Sequence, residues 1–137
     1  MTAPQTQSIQ EQNKQLLARW FDEVWNQGRR KTIHEIYGAD AVLHDGKNRY
    51  RGPDEFCRFY EAMRAQFKDI SIKPTLALAE GDLACSHFSV GCTHIASGKP
   101  VEFTAMVIVR ISDRKFTEAW QNWDAAAIKQ QVPDFTV

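Results

Sequence analysis

From Ile70 onward the apolar residues of this chain stop recurring every three or four positions and begin to alternate, and they do so four times in succession. "ISIKPTLALAE" (70–80), "DLACSHFSVGCTHIA" (82–96), "KPVEFTAMVIVRIS" (99–112) and "KFTEAWQNWD" (115–124) each read as a strand. The breaks between them hold only turn residues: Gly81-Asp82, Ser97-Gly98 and Asp113-Arg114. Strands joined this tightly pair antiparallel, and a sheet with one apolar face needs a partner layer. The preceding segments supply helices for that layer. The pattern is therefore α+β, with helices gathered on one face.

Leu16, Leu17, Trp20, Phe21, Val24 and Trp25 fall on one stripe, predicting a first helix over Ser8 to Asn26, stopped by Gly28. Ile33, Ile36 and Tyr37 mark a short second helix ending at Gly38, and "DAVLHD" (40–45) reads as a short strand. The third helix, Arg51 to Phe67, carries the clearest signals. Pro53 suits its first turn, Asp54 and Glu55 suit its dipole, and Phe56, Phe59, Tyr60, Met63 and Phe67 form one aromatic stripe.

With 137 residues the chain fits a single domain, 1–137, with a frayed lead-in over 1–7 and a short helix and tail over 125–137. Lys plus Arg equals Asp plus Glu at 17 each, so no net charge recruits nucleic acid or anionic lipid. No apolar run approaches the ~20 residues of a membrane span, and the polar, Gln-rich start does not read as a secretion signal. Cys57, Cys85 and Cys92 are an odd number without a Cys-x-x-Cys pair, which reads as free thiols in a cytoplasmic protein. His34, His44, His87 and His94 are scattered. No metal site and no cofactor is implied.

A two-residue turn at Ser97-Gly98 pairs Phe88, Val90 and Cys92 with Val107, Ala105 and Phe103, making one apolar face directed at the helices. Glu102, Thr104, Met106, Ile108 and Arg110 take the other face. The last hairpin has two readings. A two-residue turn at Asp113-Arg114 turns Trp120, Asn122 and Asp124 inward, whereas a three-residue loop with a bulge turns Ala119, Gln121 and Trp123 inward.

"FDEVWNQGRRKTIHEIYGADAVLHD", "YRGPDEFCRFYEAMRAQFKDISI", "GCTHIASGKPVEFTAMVIVRI" and "DRKFTEAWQNWD", in this order, resemble the SnoaL-like branch of the nuclear transport factor 2-like and ketosteroid isomerase-like superfamily. The resemblance runs from Leu16 to Asp124. It implies a cone-shaped α+β barrel of cystatin-like type: three N-terminal helices on a curved antiparallel sheet around a deep, mostly apolar cavity. It also implies polyketide cyclase-like or isomerase-like proton transfer. SnoaL-type cyclases use an acid in the last strand and a histidine in the preceding one. Alignment through "VRISDRKF" puts Gln121 and Val107 at those positions, and favours the bulged hairpin with Gln121 and Trp123 inward and Trp120 outward.

The ligand expected is an apolar small molecule bearing a carbonyl or hydroxyl, held by Phe56, Tyr60, Met63, Phe88, Phe103, Val107, Gln121 and Trp123. His44, which family members suggest as cavity-facing, and Asp124, the acid at the end of an apolar strand, are the candidate acid/base groups. Each has a plainer reading: a hydrogen-bonded structural histidine, and the N-cap of the helix "AAAIKQQ". Met106, Ile108 and Trp120 on the outer sheet face point to a homodimer. A binding or association module without catalysis is the alternative function.

Overall fold

Ser8 opens the first helix, its hydroxyl accepting a hydrogen bond from the Glu11 amide at 3.2 Å. In the computed structural model, which describes residues 7–136, helix α1 spans Ile9–Trp20 and widens into a π-helical turn over Phe21–Asn26. The lead-in expected over 1–7 lies, apart from Gln7, outside the described residues. Gly28 follows in the left-handed region, at φ +70°, as a helix stop requires. Helix α2 (Arg30–Ile36) ends before Tyr37, which already belongs to strand β1 (Tyr37–Asp45). A short strand β2 (Asn48–Arg51), not anticipated from the sequence, turns the chain into α3 (Gly52–Gln66). Strands β3 (Phe67–Glu80), β4 (Leu83–His94), β5 (Pro100–Ser112) and β6 (Lys115–Trp123) follow, then α4 (Ala125–Gln131).

The fold is α+β: four helices and a curved, unclosed sheet in the order β2-β1-β6-β5-β4-β3. Neighbours pair antiparallel except β1 and β6, which run parallel and so bring the end of β1 beside the end of β6. Gly38 permits that meeting, because a Cβ there would stand 2.7 Å from the Phe116 carbonyl oxygen. Trp20, Phe21 and Val24 from the first helix, Phe56 and Tyr60 from α3, and Leu43, Phe88, Val107 and Ala119 from the sheet form one buried core. A second, smaller cluster joins Phe67, Cys92 and Val101 to Ile128, Val132 and Phe135 of the C-terminal segment.

The β4–β5 connection differs from the expected two-residue turn. His94 pairs with Lys99 through its amide (2.8 Å), enclosing a four-residue loop, Ile95 to Gly98. Phe88 therefore opposes Ala105, Val90 opposes Phe103, and Cys92 opposes Val101. The slip is two residues, and a slip by an even number keeps every side chain on its face. His94 is buried at this turn, its ring 2.7 Å from the Ser97 hydroxyl and packed on Phe67.

Candidate functional site

Helices α1 and α3, the π-helical turn and the concave sheet face enclose a cavity of about 100 Å³. Its walls are largely aromatic. Trp20 tilts against Phe56 with centroids 5.1 Å apart, and Phe21 meets Phe88 at 4.6 Å. Met63 and Phe59 from α3, Phe103 and Val107 from β5, and Gln121 and Trp123 from β6 complete the enclosure. No charged side chain lines it. The Tyr37 hydroxyl in its wall already donates to the Tyr50 carbonyl at 2.6 Å, so that polar group is satisfied within the protein. Gln121 differs: its amide has no hydrogen-bond partner among the described residues.

Gln121 faces inward by a route that combines parts of both hairpin readings. The turn is the two-residue one: Ser112 pairs with Lys115, and Asp113 and Arg114 both take positive φ, at 52° and 60°, as a type I′ turn demands. Ile111 pairs with Phe116 but Arg110 pairs with Glu118, leaving Thr117 as the extra residue of a bulge. That single residue reverses the alternation. Phe116 and Ala119 both point to the core, and Gln121 and Trp123 follow Ala119.

Behind the cavity wall, bonded to the wall residue Trp123, lies a carboxyl that the sequence reading passed over. Asp45, only 6% exposed, accepts a hydrogen bond from the Trp123 indole N–H through Oδ1 at 2.8 Å. Its Oδ2 is buried with no hydrogen-bond partner among the described residues. Asp45 is the cross-strand partner of Gln121, so the two side chains share the concave face. Tyr50 is close enough for Asp45 to help burial raise its phenol pKa, with burial the larger cause.

The two candidate acid/base groups lie elsewhere. His44 faces the outer side of the sheet, where Nε2 sits 2.8 Å from Glu118 Oε2 and the ring stacks on Trp120 at 5.6 Å. Strand alternation is the reason: Leu43 and Asp45 take the inner face, so His44 cannot. Asp124 is exposed and caps α4, accepting from the Ala127 amide at 3.0 Å. Among the eight expected ligand-contacting residues, Tyr60 alone does not line the cavity. It is 1% exposed, and its hydroxyl donates to the Val24 carbonyl, in the π-helical turn, at 2.9 Å. Phe56, Met63, Phe88, Phe103, Val107, Gln121 and Trp123 all do line it. Cys92 also lines it, and burial pushes its thiol pKa up to about 11.

A family model described as SnoaL-like polyketide cyclase matches residues 15–132. The chain belongs to this SnoaL-like family. Solved structures agree on the fold. A protein of Jannaschia sp. CCS1, described as a candidate SnoaL-like polyketide cyclase, superposes with a TM-score of 0.85 at 17% identity, covering 98% of this chain and 100% of its own. IdmH of Streptomyces antibioticus, described as a candidate polyketide cyclase, gives 0.80 at 22% identity, covering 89% and 99%. A Catenulispora acidiphila protein with a ketosteroid isomerase-like fold, solved with trimethylamine, gives 0.79 at 14% identity, covering 89% and 97%. No curated protein matches the chain in sequence.

In this SnoaL-like chain, Gln121 and Val107 both reach the cavity. Among the described residues no group of three or more His, Cys, Asp or Glu could hold a metal ion, and no helix is long and apolar enough to cross a membrane. The signal for Asp45 was present in "AVLHD". Ala41 and Leu43 occupy the buried face of that strand, and the next residue in phase is Asp45.

Proposed function

We propose that this protein binds an uncharged, mainly apolar molecule bearing a carbonyl or hydroxyl and transfers a proton on it, as a cyclase- or isomerase-type enzyme. The wall supports the first half. A charged ligand would be stripped of water there without a counter-charge, whereas a neutral ring gains aromatic contact on all sides. At about 100 Å³ the cavity is smaller than the ~150 Å³ that takes up benzene, so it must widen to accept a substituted ring. Gln121 offers both a donor and an acceptor and orients the oxygen of the ligand.

The observation that carries the second half is Asp45 Oδ2. A buried carboxyl oxygen without a partner is costly, and such groups persist where a ligand or a reaction uses them. Asp45 stands beside Gln121 on the same face and directly behind the Trp123 ring. Reached past the Trp123 ring, it is the carboxyl that takes the proton from a carbon or hydroxyl next to the bound carbonyl, or returns it. Oδ1, held by Trp123, keeps the carboxyl oriented while Oδ2 works.

Deuterium uptake from D2O, followed by NMR on a set of neutral monocyclic ketones, tests this without knowledge of the natural substrate. The wild type is expected to accelerate exchange, and Asp45→Asn to lower the rate by about 10²–10⁴-fold while the ketone still binds. His44→Ala is expected to leave it within about twofold, because that ring lies outside the cavity. Binding without exchange would overturn the catalytic half. It would support the second reading, a ligand-binding module, which the amide and valine at the cyclase acid/base positions favour.

A further inference from the structure

We infer that the C-terminal segment, α4 and the tail through Phe135, is a lid on the cavity, latched by Gln131. Three placements support this. The first is the cluster the segment forms: Ile128, Val132 and Phe135 pack on Phe67, Cys92 and Val101, apart from the main core. Met63, Ile70, Phe103 and Trp123 pack against both clusters, and all four are cavity-wall residues. Lifting the segment therefore uncovers the wall while leaving the main core intact.

The second placement is the latch. The Gln131 side chain mimics a paired strand: its Oε1 accepts from the Glu102 amide at 2.9 Å and its Nε2 donates to the Glu102 carbonyl at 2.7 Å. One half-buried side chain thus ties the segment to β5. A weaker tie joins Gln66 Nε2 to the Thr136 carbonyl at 3.3 Å. The third is the hinge. Asp124 follows β6 and caps α4, so the segment leaves the sheet through one chain crossing.

The cavity is partly open, and the least costly way to widen it for a ligand breaks the fewest buried contacts. The other walls are strands of a six-stranded sheet, among them the long edge strand β3 paired along β4, and helices held by the main core. The lid costs three side-chain hydrogen bonds and a small apolar cluster. Its role as a gate rests on the cavity being the binding site, as proposed above. Its opening does not, and can be measured by itself.

Two buried thiols report the opening. Cys92 belongs to the lid cluster and Cys57 to the main core. In a Cys85→Ser background, labelling by the neutral reagent 4,4′-dithiodipyridine is followed thiol by thiol by mass spectrometry at increasing urea. Cys92 is expected to label faster than Cys57 in the absence of urea and with a weaker urea dependence, because lid opening exposes little surface. Gln131→Ala is expected to speed Cys92 about five- to tenfold and to leave Cys57 unchanged. Labelling of both thiols at one rate, with one urea dependence, would overturn the lid whatever the cavity binds. So would a Gln131→Ala variant that leaves the Cys92 rate unchanged.

Discussion

The indole nitrogen of Trp123 donates to Oδ1 of Asp45 at 2.8 Å and so joins the ends of β6 and β1 behind the cavity wall. The parallel pairing of these two strands makes the contact possible. Replacing Trp123 by Phe keeps a ring in the wall but leaves both carboxyl oxygens buried without a donor. The expected loss is about 1–3 kcal/mol of stability, read from urea midpoints at constant slope. Adding Asp45→Leu to Trp123→Phe is expected to recover part of that loss, since no polar group is then stranded. A double variant less stable than the sum of the two single changes would argue against this account.

On the convex face, Met106 and Ile108 are 50% and 40% exposed, and Leu76 and Leu78 on β3 extend the patch toward the sheet edge. Trp120, stacked on His44, bounds it on the other side. We expect a second copy of the chain to cover this face as a homodimer. Light scattering at micromolar concentration should give twice the chain mass, and Ile108→Lys should reduce it to the monomer without changing the circular dichroism. A monomeric wild type removes the interface.

Cys92 makes a prediction at alkaline pH. Its thiol is raised to about 11 from an ordinary 9 by burial. Below pH 9 the folded and unfolded chains both keep the proton, and Cys92 contributes no pH dependence. Above it the unfolded chain loses the proton first, so stability falls as pH rises toward 11. Cys92→Ala should show a smaller fall in urea midpoint between pH 8 and 10.5 than the wild type. Equal falls would place the cause elsewhere.

Much of this was legible in the residues. The change of period near Ile70 defined the sheet, and the aromatic stripe of α3 named its buried face, because both signals repeat over many residues. The β4–β5 slip did no damage to face assignment because it was even. The odd slip at Thr117 decides the site, and a bulge has no compositional signature strong enough to locate. His44 was read by analogy of position, whereas the phase set by Ala41 and Leu43 turns it outward and Asp45 inward. Tyr60 is expected among the ligand contacts, and only the path of the π-helical turn reveals the Val24 carbonyl that takes its hydroxyl.

Gln121 offers the sharpest test of the cavity as a recognition site. Its amide is the polar side chain of the wall left without a protein partner among the described residues, so it should contribute selectivity more than affinity. Removing it in Gln121→Ala leaves the aromatic contact area, which provides most of the binding free energy. Calorimetry with acetophenone, whose carbonyl the amide can engage, and ethylbenzene, which lacks that oxygen, separates the two effects. The wild type should prefer the ketone by about tenfold, the worth of one hydrogen bond in a dry site, and Gln121→Ala should lose that preference with ethylbenzene binding nearly unchanged. Gln121→Asp should behave differently again. A carboxylate there has no counter-charge in the wall, and desolvation raises the pKa of the introduced acid. A folded-state pKa above the unfolded value means stability present at low pH and lost as pH rises through it. Gln121→Asp should therefore match the wild type most closely near pH 4 and fall progressively behind it by pH 7. If Gln121→Ala weakens both ligands equally, the amide supports the fold of the wall and does not read the ligand.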